Sequence, residues 1–402
     1  MSITSLLAKG MRIYVAGSVN EPTALIESLV DAQLPRDLHF VQFPLGGYNC
    51  CDFTALNDTA EFTTVFMTPH LKNADPDRLH FVPMQMREVY NYLRCNIDAV
   101  LLQVARNRAG EMCFGPNVDF IEAALSGASV VIAELNESFV ASAGCPRIDE
   151  SRIDFTVTTN RPLYEMTAPE IDDSARKIGQ LVAGLISDGD CIQTGIGAIP
   201  AAILNELADK NDLGMHGGLL DDGGMRLIQA GNVNGRSKAI DTGKHITGMA
   251  LGSAALIDWL ADRPDVLFKG ADYTHEISVI GRLDNFVSIN SAVEIDLHGQ
   301  VNAEVAGGRQ ISGTGGSVDF MRSARVSKGG RSIIAMNATA RGGAVSRIVE
   351  KVETVTALRT DVDIVVTEFG VAHLKNLSLK ARARALAGIA APVFRDGLKV
   401  GR

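Results

Sequence analysis

The stretch CIQTGIGAIPAAIL, residues 191–204, decides how this chain folds. Its first residues are typical of a strand, and a G-x-G turn follows. The helical pattern after the turn carries Pro200 in its first turn, where a missing N–H costs nothing. A strand that passes through a tight turn into a helix indicates a parallel sheet with helices on its faces. The sequence therefore predicts an α/β fold.

The turn in this stretch has two interpretations. Gly195 and Gly197 let the backbone approach a ligand closely, and the free N–H groups at the helix start favour a negatively charged or strongly polar group. A tight turn without any ligand explains the same glycines equally well. Because Ala201 follows Pro200, the third glycine of a dinucleotide fingerprint is absent, which disfavours a Rossmann cofactor site.

Outside this stretch, strand and helix patterns alternate from one end of the chain to the other. MRIYVAG (11–17) predicts a strand and EPTALIESLVDAQ (21–33) an amphipathic helix. Periodicity is lost at 160–174, where two prolines precede a group of acidic residues, so we place a domain boundary there. We predict two open, doubly wound α/β domains, at residues 1–168 and 169–402.

Composition excludes several classes of function. The chain has 402 residues with a net charge of −9, so it offers no broad basic face for nucleic acid or an anionic membrane. Its longest apolar run, 99–105, is too short to span a bilayer. The 6 cysteines form no C-x-x-C pair, and no two histidines have helical ligand spacing. We expect a cytoplasmic protein with reduced thiols and no metal site.

A glycine-rich segment, GGRQISGTGGSVDF (307–320), is a second candidate for chemistry. Such a loop can turn successive N–H groups inward as an oxyanion hole or an anion nest, and a flexible hairpin is the simpler alternative. Arg309 and Arg331 flank it and could bind phosphates, although surface arginines usually contact only water.

A third candidate is INSAVEIDLHGQVNAE (289–304), which contains Glu294, Asp296 and Glu304. A buried carboxylate here could act as a nucleophile or base, whereas strand alternation would send Glu294 into solvent. His216 lies beside a glycine pair, and we interpret it as a packed histidine at a strand end rather than as a base.

Taken together, the motifs resemble the acetyl-CoA hydrolase/transferase family, and within it the 4-hydroxybutyrate and butyryl-CoA:acetate CoA-transferases. The resemblance covers the whole second half and is looser in the first. It rests on the segments GIGAIP, DLGMH, INSAVEIDLHGQVNAE, SGTGGSVDFMRSA, SKGGRSIIAM and VVTEFGVAHLKNLSLKARARALAGIA.

The resemblance implies domains of the CoA-transferase type, a homodimer, and coenzyme A or acyl-CoA as the substrate, with a second small molecule as acceptor. The second domain would hold most of the coenzyme A. The implied contacts are Gly195, Ile196, Gly197, Ala198, Ile199, Ile289, Arg309, Gly313 and Arg331.

One position departs from the family pattern. Family members read G-[IVM]-H-[ST]-E, where the glutamate attacks the acyl-CoA carbonyl and then carries coenzyme A as a glutamyl thioester. Here GMHGG places Gly218 at that position, so the two-step route has no covalent carrier. Ser317 and Ala391 also replace the glutamine and the histidine that the family usually has.

We therefore predict an acyl-CoA-processing enzyme, more a transferase than a hydrolase, in which water, an amine or a carboxylate attacks the thioester directly. The glycine pair would leave room for a bulkier acyl group or for the attacking molecule. A conventional CoA-transferase with a relocated carboxylate is the first alternative, and a non-catalytic acyl-CoA-binding protein is the second. The candidate replacements are Glu294, Asp221, Asp222, Glu61 and Glu111.

Overall fold

The computed structural model describes residues 3–400 and divides into two compact units. The first runs up to Thr167 and also contains Ile246–Thr274, and the second comprises Ala168–His245 and the chain from His275 onward. The segment 246–274, which was predicted to lie in the second domain, thus belongs to the first unit. Backbone bonds hold it there, since Val118 N–H donates to Gly248 O at 2.9 Å and Phe268 N–H donates to Gly144 O at 3.0 Å.

The strands and helices follow in chain order. The strands are β1 (Arg12–Val15), β2 (His39–Gln42), β3 (Glu61–Thr64), β4 (Leu79–Phe81), β5 (Ala99–Arg106), β6 (Met112–Phe114), β7 (Val130–Asn136), β8 (Phe155–Thr159), β9 (Cys191–Gln193), β10 (Gly214–Met215), β11 (Leu219–Leu220), β12 (His245–Thr247), β13 (Met249–Ala250), β14 (Val266–Phe268), β15 (Phe286–Asn290), β16 (Glu294–Asp296), β17 (Val301–Asn302), β18 (Val305–Ala306), β19 (Arg309–Gln310), β20 (Arg331–Ala335), β21 (Thr339–Ala340), β22 (Val345–Ser346), β23 (Ile348–Val349), β24 (Ile364–Thr367) and β25 (Gly370–His373). The α-helices are α1 (Thr23–Val30), α2 (Met86–Cys95), α3 (Ile121–Gly127), α4 (Asp173–Ala183), α5 (Ala198–Asn205), α6 (Asp222–Ala230), α7 (Ala254–Leu260), α8 (Ala271–Thr274), α9 (Ile277–Ile280), α10 (Ser317–Val326), α11 (Leu379–Gly388) and α12 (Pro392–Arg395).

The first unit contains a parallel sheet with the strand order β4-β3-β2-β1-β5-β7-β8, and β6 pairs antiparallel with the last residues of β5. The chain moves outward from β1 first in one direction and then in the other, which is the doubly wound arrangement. Leu25 and Leu29 of α1 are fully buried in the core below it, where Phe40 stacks on Phe53 with ring centroids 4.8 Å apart.

The second unit contains a sheet with the strand order β10-β9-β15-β20-β24-β25, parallel except for the last pair. Helix α4 covers it beside α5, and a Cβ atom on Gly179 would lie only 2.9 Å from the backbone of Ala202, so glycine permits this close approach. Asp172 caps α4 by accepting the N–H of Ala175 at 2.7 Å.

The α/β fold class predicted from the alternation of elements is confirmed. Within residues 3–400, none of the helices combines the length and the apolar character needed to cross a bilayer.

Candidate active site

The second sheet changes winding direction at β9. From β9 the chain proceeds to β10 on one side and later to β15 on the other. At such a switch point the loops after the neighbouring strands diverge, and the carboxyl edge of the sheet is where open α/β folds bind ligands. The loops that leave β9 and β10 at this edge contain Gly195 and Gly218 respectively, and β15 ends here at Asn290.

The turn after β9 is open. A Cβ atom on Gly195 or on Gly197 would meet no other atom within 4 Å, and the side chain of Ile196 is 43% exposed. Gly197 has φ 108°, which strongly favours glycine, and it precedes α5 without any side-chain cap. The first N–H groups of α5 are thus left for a ligand or for solvent, as the sequence suggested.

The turn after β10 is closely packed. A Cβ atom on Gly217 would lie 3.1 Å from Cγ of Gln193, which ends β9. Asn290, at the end of β15, donates to Oε1 of Gln193 at 3.3 Å and to Oγ of Ser288 at 3.2 Å. Gln193 is buried, at 4% exposed, whereas Asn290 is only partly buried. Gln193 was not among the predicted site residues.

The side chain that fills the space beside Gly218 is the imidazole of His275. A Cβ atom on Gly218 would lie 2.9 Å from Cε1 and 3.1 Å from Nε2 of His275. A Cβ atom on Gly316 would lie 2.4 Å from the same Nε2. The imidazole packs on Phe320 with ring centroids 4.5 Å apart and is 2% exposed. The expectation that the glycine pair leaves free volume beside Gly218 is therefore wrong.

Burial also decides the charge of this histidine. Loss of solvent lowers the pKa of His275 to about 3, so its imidazole is neutral at physiological pH. No spacing rule pointed to His275, because its neighbours lie far away in the sequence. The one available signal was the glycine at 218, which raises the question of which group occupies that space.

The glycine-rich segment divides into a hairpin and a loop. Arg309 is exposed on the hairpin β18–β19, whose turn contains Gly307 and Gly308 at positive φ. The loop then leads through the buried Gly313 to Gly316 at the start of α10. Glu304 anchors the loop, since its carboxylate accepts hydrogen bonds from Oγ1 of Thr314 at 3.3 Å and from Oγ1 of Thr356 at 2.7 Å.

Two of the predicted coenzyme A contacts are differently placed. Arg331 begins β20, at the amino edge of the sheet, where its guanidinium pairs with the buried carboxylate of Asp190 and donates to Leu185 O at 2.6 Å. The structure therefore does not bring Arg331 to the carboxyl edge. Ile289 is 1% exposed within β15, so its side chain belongs to the sheet core.

The candidate carboxylates in the second unit already have structural partners. Asp221 caps α6 by accepting the N–H of Gly224 at 2.8 Å, and burial raises its pKa above the usual range. The carboxylate of Glu294 accepts hydrogen bonds from Nδ2 of Asn302 at 3.0 Å and from the N–H of Glu353 at 2.7 Å.

Two further candidates, Glu61 and Glu111, belong to the first unit. The carboxylate of Glu61 lies 3.1 Å from Nδ1 of His39, and that of Glu111 lies 2.6 Å from Nη1 of Arg147. Asp222, the last candidate, is the first residue of α6.

The remaining histidine prediction agrees with the structure. His216 is fully buried at the end of β10, with its ring edge-on to Phe286 at a centroid distance of 6.5 Å. Among residues 3–400, no group of three or more His, Cys, Asp or Glu side chains is arranged to hold a metal ion.

Comparison with known proteins identifies the family to which this chain is similar. The family model of the acetyl-CoA hydrolase/transferase C-terminal domain matches residues 252–401. The 4-hydroxybutyrate coenzyme A transferase of Clostridium kluyveri is 39% identical over 96% of this chain and 92% of its own length. Other similar proteins are named as CoA-transferases or acetyl-CoA hydrolases.

Solved structures show the same fold. RipA from Yersinia pestis superposes with a TM-score of 0.90 at 31% identity, covering 98% of this chain and 94% of that one. A 4-hydroxybutyrate CoA-transferase from Porphyromonas gingivalis gives 0.81 at 32% identity, covering 99% and 94%. The fold is thus that of the CoA-transferases. The chain belongs to the acetyl-CoA hydrolase/transferase family of enzymes.

Proposed function

We propose that this enzyme binds an acyl-CoA at the carboxyl edge of its second sheet and transfers the acyl group without a covalent glutamyl intermediate. Water, an amine or a carboxylate attacks the thioester directly. The cytoplasmic location and the homodimer remain predictions.

One observation carries the proposal. The family pattern puts the nucleophilic glutamate at position 218, and here the first atom of any side chain at that position would lie 2.9 Å from a ring carbon of His275. Carbon atoms that are not bonded to each other settle at about 3.5–4.0 Å. The imidazole therefore has to move before position 218 can carry a carboxylate.

The alternative nucleophiles have weaker support. Asp221 is occupied by its helix cap and Glu294 by two hydrogen bonds, so either carboxylate would lose those partners on attacking a thioester. A conventional CoA-transferase with a relocated carboxylate is nevertheless favoured by the names of the relatives, most of which are CoA-transferases.

The open turn at 195–199 and the uncapped start of α5 support binding of an anionic or strongly polar part of coenzyme A at the carboxyl edge of the second sheet. Arg309 is exposed and able to add a planar cationic donor. Gly313 contributes backbone in the loop that leads to α10. The side chain of Arg331 is not part of the proposed coenzyme A site, because it already pairs with Asp190.

The test is a trapping experiment. The protein is incubated with acetyl-CoA or butyryl-CoA in the presence of water alone, acetate or hydroxylamine, and thioester loss is followed. A second portion is reduced with borohydride and mapped by mass spectrometry. We expect thioester consumption and no reduced glutamate or aspartate.

Two variants complete the experiment. Asp221→Asn retains a capping oxygen and Glu294→Gln retains an acceptor, but neither provides a carboxylate nucleophile. We expect both to keep wild-type turnover. A reduced carboxylate in the wild type, lost together with turnover in one of these variants, would establish the relocated nucleophile instead. Tight coenzyme A binding without thioester loss for any acceptor would establish the non-catalytic alternative.

A further inference from the structure

Arg347 lies between β22 and β23, and its guanidinium is held by backbone carbonyls rather than by a carboxylate. Nε donates to Val293 O at 2.8 Å, and Nη2 donates to Ala292 O. The backbone N–H of Arg347 donates to Ala338 O at 2.9 Å. These carbonyls follow β15 and β20, which are parallel neighbours in the second sheet, so the guanidinium is fixed at the carboxyl edge.

The positive charge of Arg347 is half-buried, and no carboxylate of residues 3–400 lies within ion-pair distance of it. Glu368 acts on this charge from further away, while its carboxylate accepts the N–H of Ala338 at 2.8 Å. Because burial disfavours a cation that lacks a full counter-charge, the pKa of Arg347 is lowered. Buried charges are normally paired, so this one favours an anion that comes from a ligand.

Donors for such an anion are available. Nη1 of Arg347 makes no hydrogen bond to residues 3–400 and is accessible from the surface. Asn337 follows β20, and its amide has a buried Oδ1 without a partner in the same range. The register places Ala335 opposite Val366, so two residues further on Asn337 comes opposite Glu368. The ends of β20 and β24 therefore bring an amide and a carboxylate to the same edge as the guanidinium.

We propose that Arg347 binds a carboxylate at the far end of the acyl group, so that the preferred acyl-CoA carries a second, unreacting carboxylate. This inference rests on the proposed function, since it assumes that acyl-CoA lies at the carboxyl edge of the second sheet. It goes beyond that proposal by naming the class of acyl group and the residue that selects it.

The chemistry of these groups decides between a carboxylate and a phosphate. A planar guanidinium can donate two parallel N–H bonds to a carboxylate, and the amide of Asn337 adds a neutral donor. Glu368 acts on the charge of Arg347, and its repulsion of a ligand group is proportional to the charge of that group. A carboxylate with one negative charge is therefore favoured over a phosphate with two.

The experiment compares two thioether analogues of acyl-CoA, S-carboxypropyl-CoA and S-butyl-CoA. Both carry a four-carbon chain on sulfur, which ends in a carboxylate in the first and in a methyl group in the second. Neither contains a thioester that the enzyme could consume, so calorimetry with the full chain measures binding alone. We expect the wild type to bind S-carboxypropyl-CoA about tenfold more tightly than S-butyl-CoA.

Arg347→Gln removes the charge and should abolish most of this preference. Binding of S-carboxypropyl-CoA should weaken about tenfold, whereas the affinities for S-butyl-CoA and for coenzyme A should not change. Arg347→Lys should keep part of the preference, because it retains a positive charge but loses the planar pair of donors. A merely structural arginine would instead affect all three ligands alike.

Two further variants separate binding from support of the loops. Asn337→Ala leaves the hydrogen bonds from Arg347 to Ala292 and Val293 in place, and it should weaken S-carboxypropyl-CoA alone, by a smaller factor. Arg309→Gln is the matched control, because this exposed arginine is proposed to bind coenzyme A itself and its loss should weaken both analogues alike. If Arg347→Gln fails to fold, the wild-type preference still tests the acyl class, and Asn337→Ala tests where its carboxylate binds.

The other outcomes are also decisive. Equal wild-type affinity for the two analogues would overturn the inference while leaving the proposed function intact. A preference that persists in Arg347→Gln would overturn the assignment of this residue, and an equal loss of both analogues and of coenzyme A would mean that Arg347 binds a phosphate or supports the loops. A wild type that binds neither analogue nor coenzyme A would contradict the proposed function itself.

Discussion

The turn after β9 and the turn after β10 both contain two glycines, but for opposite reasons. A Cβ atom on Gly195 or Gly197 would meet nothing within 4 Å, whereas one on Gly218 would lie 2.9 Å from His275. In the first turn glycine leaves the backbone open to solvent. In the second it makes room for a neighbouring imidazole. The same residue type therefore marks an approach route for a ligand in one turn and a packed contact in the other.

This difference shows how far a family motif can be transferred. The GIGAI segment keeps the open geometry that a ligand needs, so the match in sequence and the match in structure agree. At position 218 the match fails, because glycine stands where the family pattern has glutamate. The following predictions test whether the two turns really differ in this way. The first one concerns the amino edge of the second sheet, where neither turn lies.

The largest effect is expected at the amino edge. Arg331→Met leaves the buried carboxylate of Asp190 without its partner and should cost about 3 kcal/mol of unfolding free energy. Because this pair lies at the opposite edge from both turns, coenzyme A affinity of the folded protein should not change. Urea unfolding and calorimetry measure the two quantities.

Arg309→Met is the matched control. Arg309 is exposed, so its loss should change stability by less than about 0.5 kcal/mol. If it binds a phosphate of coenzyme A, affinity should fall instead. Weaker coenzyme A binding by Arg331→Met at unchanged stability would contradict this assignment of the two edges.

Gly218→Ala tests the packed turn directly. The new methyl group strikes the imidazole, and overpacking of this kind should cost about 1–2 kcal/mol. In a His275→Ala background most of the cost should disappear, since the colliding ring is absent. A double-mutant cycle by urea unfolding measures the coupling. An equal cost in both backgrounds would mean that His275 does not fill this space.

The pH dependence of stability tests the burial of His275. Its pKa is lowered from 6.5 to about 3, so the unfolded chain takes up this proton below pH 6.5 while the folded chain does not. The stability contribution is full above pH 6.5 and is lost as pH falls toward 3, by up to about 1.4 kcal/mol per pH unit.

His275→Asn removes this titration, so the free energy of unfolding of the variant should fall less steeply between pH 6.5 and 5. Parallel curves for the variant and the wild type would show that the imidazole titrates normally and is not buried. Only the slopes are compared, because the substitution also changes packing.

Gly195→Ala should have the smallest effect on stability. Its methyl group would enter open space, and the backbone of Gly195 does not have a positive φ, so the change should lie within about 0.5 kcal/mol. If this turn seats coenzyme A, the dissociation constant should rise about tenfold, equivalent to 1.4 kcal/mol. A marked loss of stability of Gly195→Ala with unchanged coenzyme A affinity would show that the turn after β9 is packed, like the turn after β10.

The sequence predicted the elements whose signal is local. The predicted strand at 11–17 contains β1, and the predicted helix at 21–33 contains α1. Asp172, which belongs to the acidic group at the predicted boundary, caps α4. These depend on periodicity and on capping residues within a few positions. The doubly wound order followed from the alternation of strands with helices.

Features that depend on distant contacts could not be predicted in this way. The run at 286–297 carries one apolar pattern, yet β15 ends at Asn290 and β16 belongs to another small sheet with β17 and β23. Nothing in the composition of 246–274 separates it from its flanking segments. The packing of His275 becomes visible only once the loops containing Gly218 and Gly316 are seen to meet on it.

The most direct test of the account is a crystal structure with a stable acyl-CoA analogue in which a ketone replaces the thioester. The account predicts that the ketone lies at the carboxyl edge of the second sheet, with no carboxylate side chain within the roughly 3–3.5 Å from which it could attack. A ketone carbon held within attacking distance of the carboxylate of Glu294 or Asp221 would contradict it.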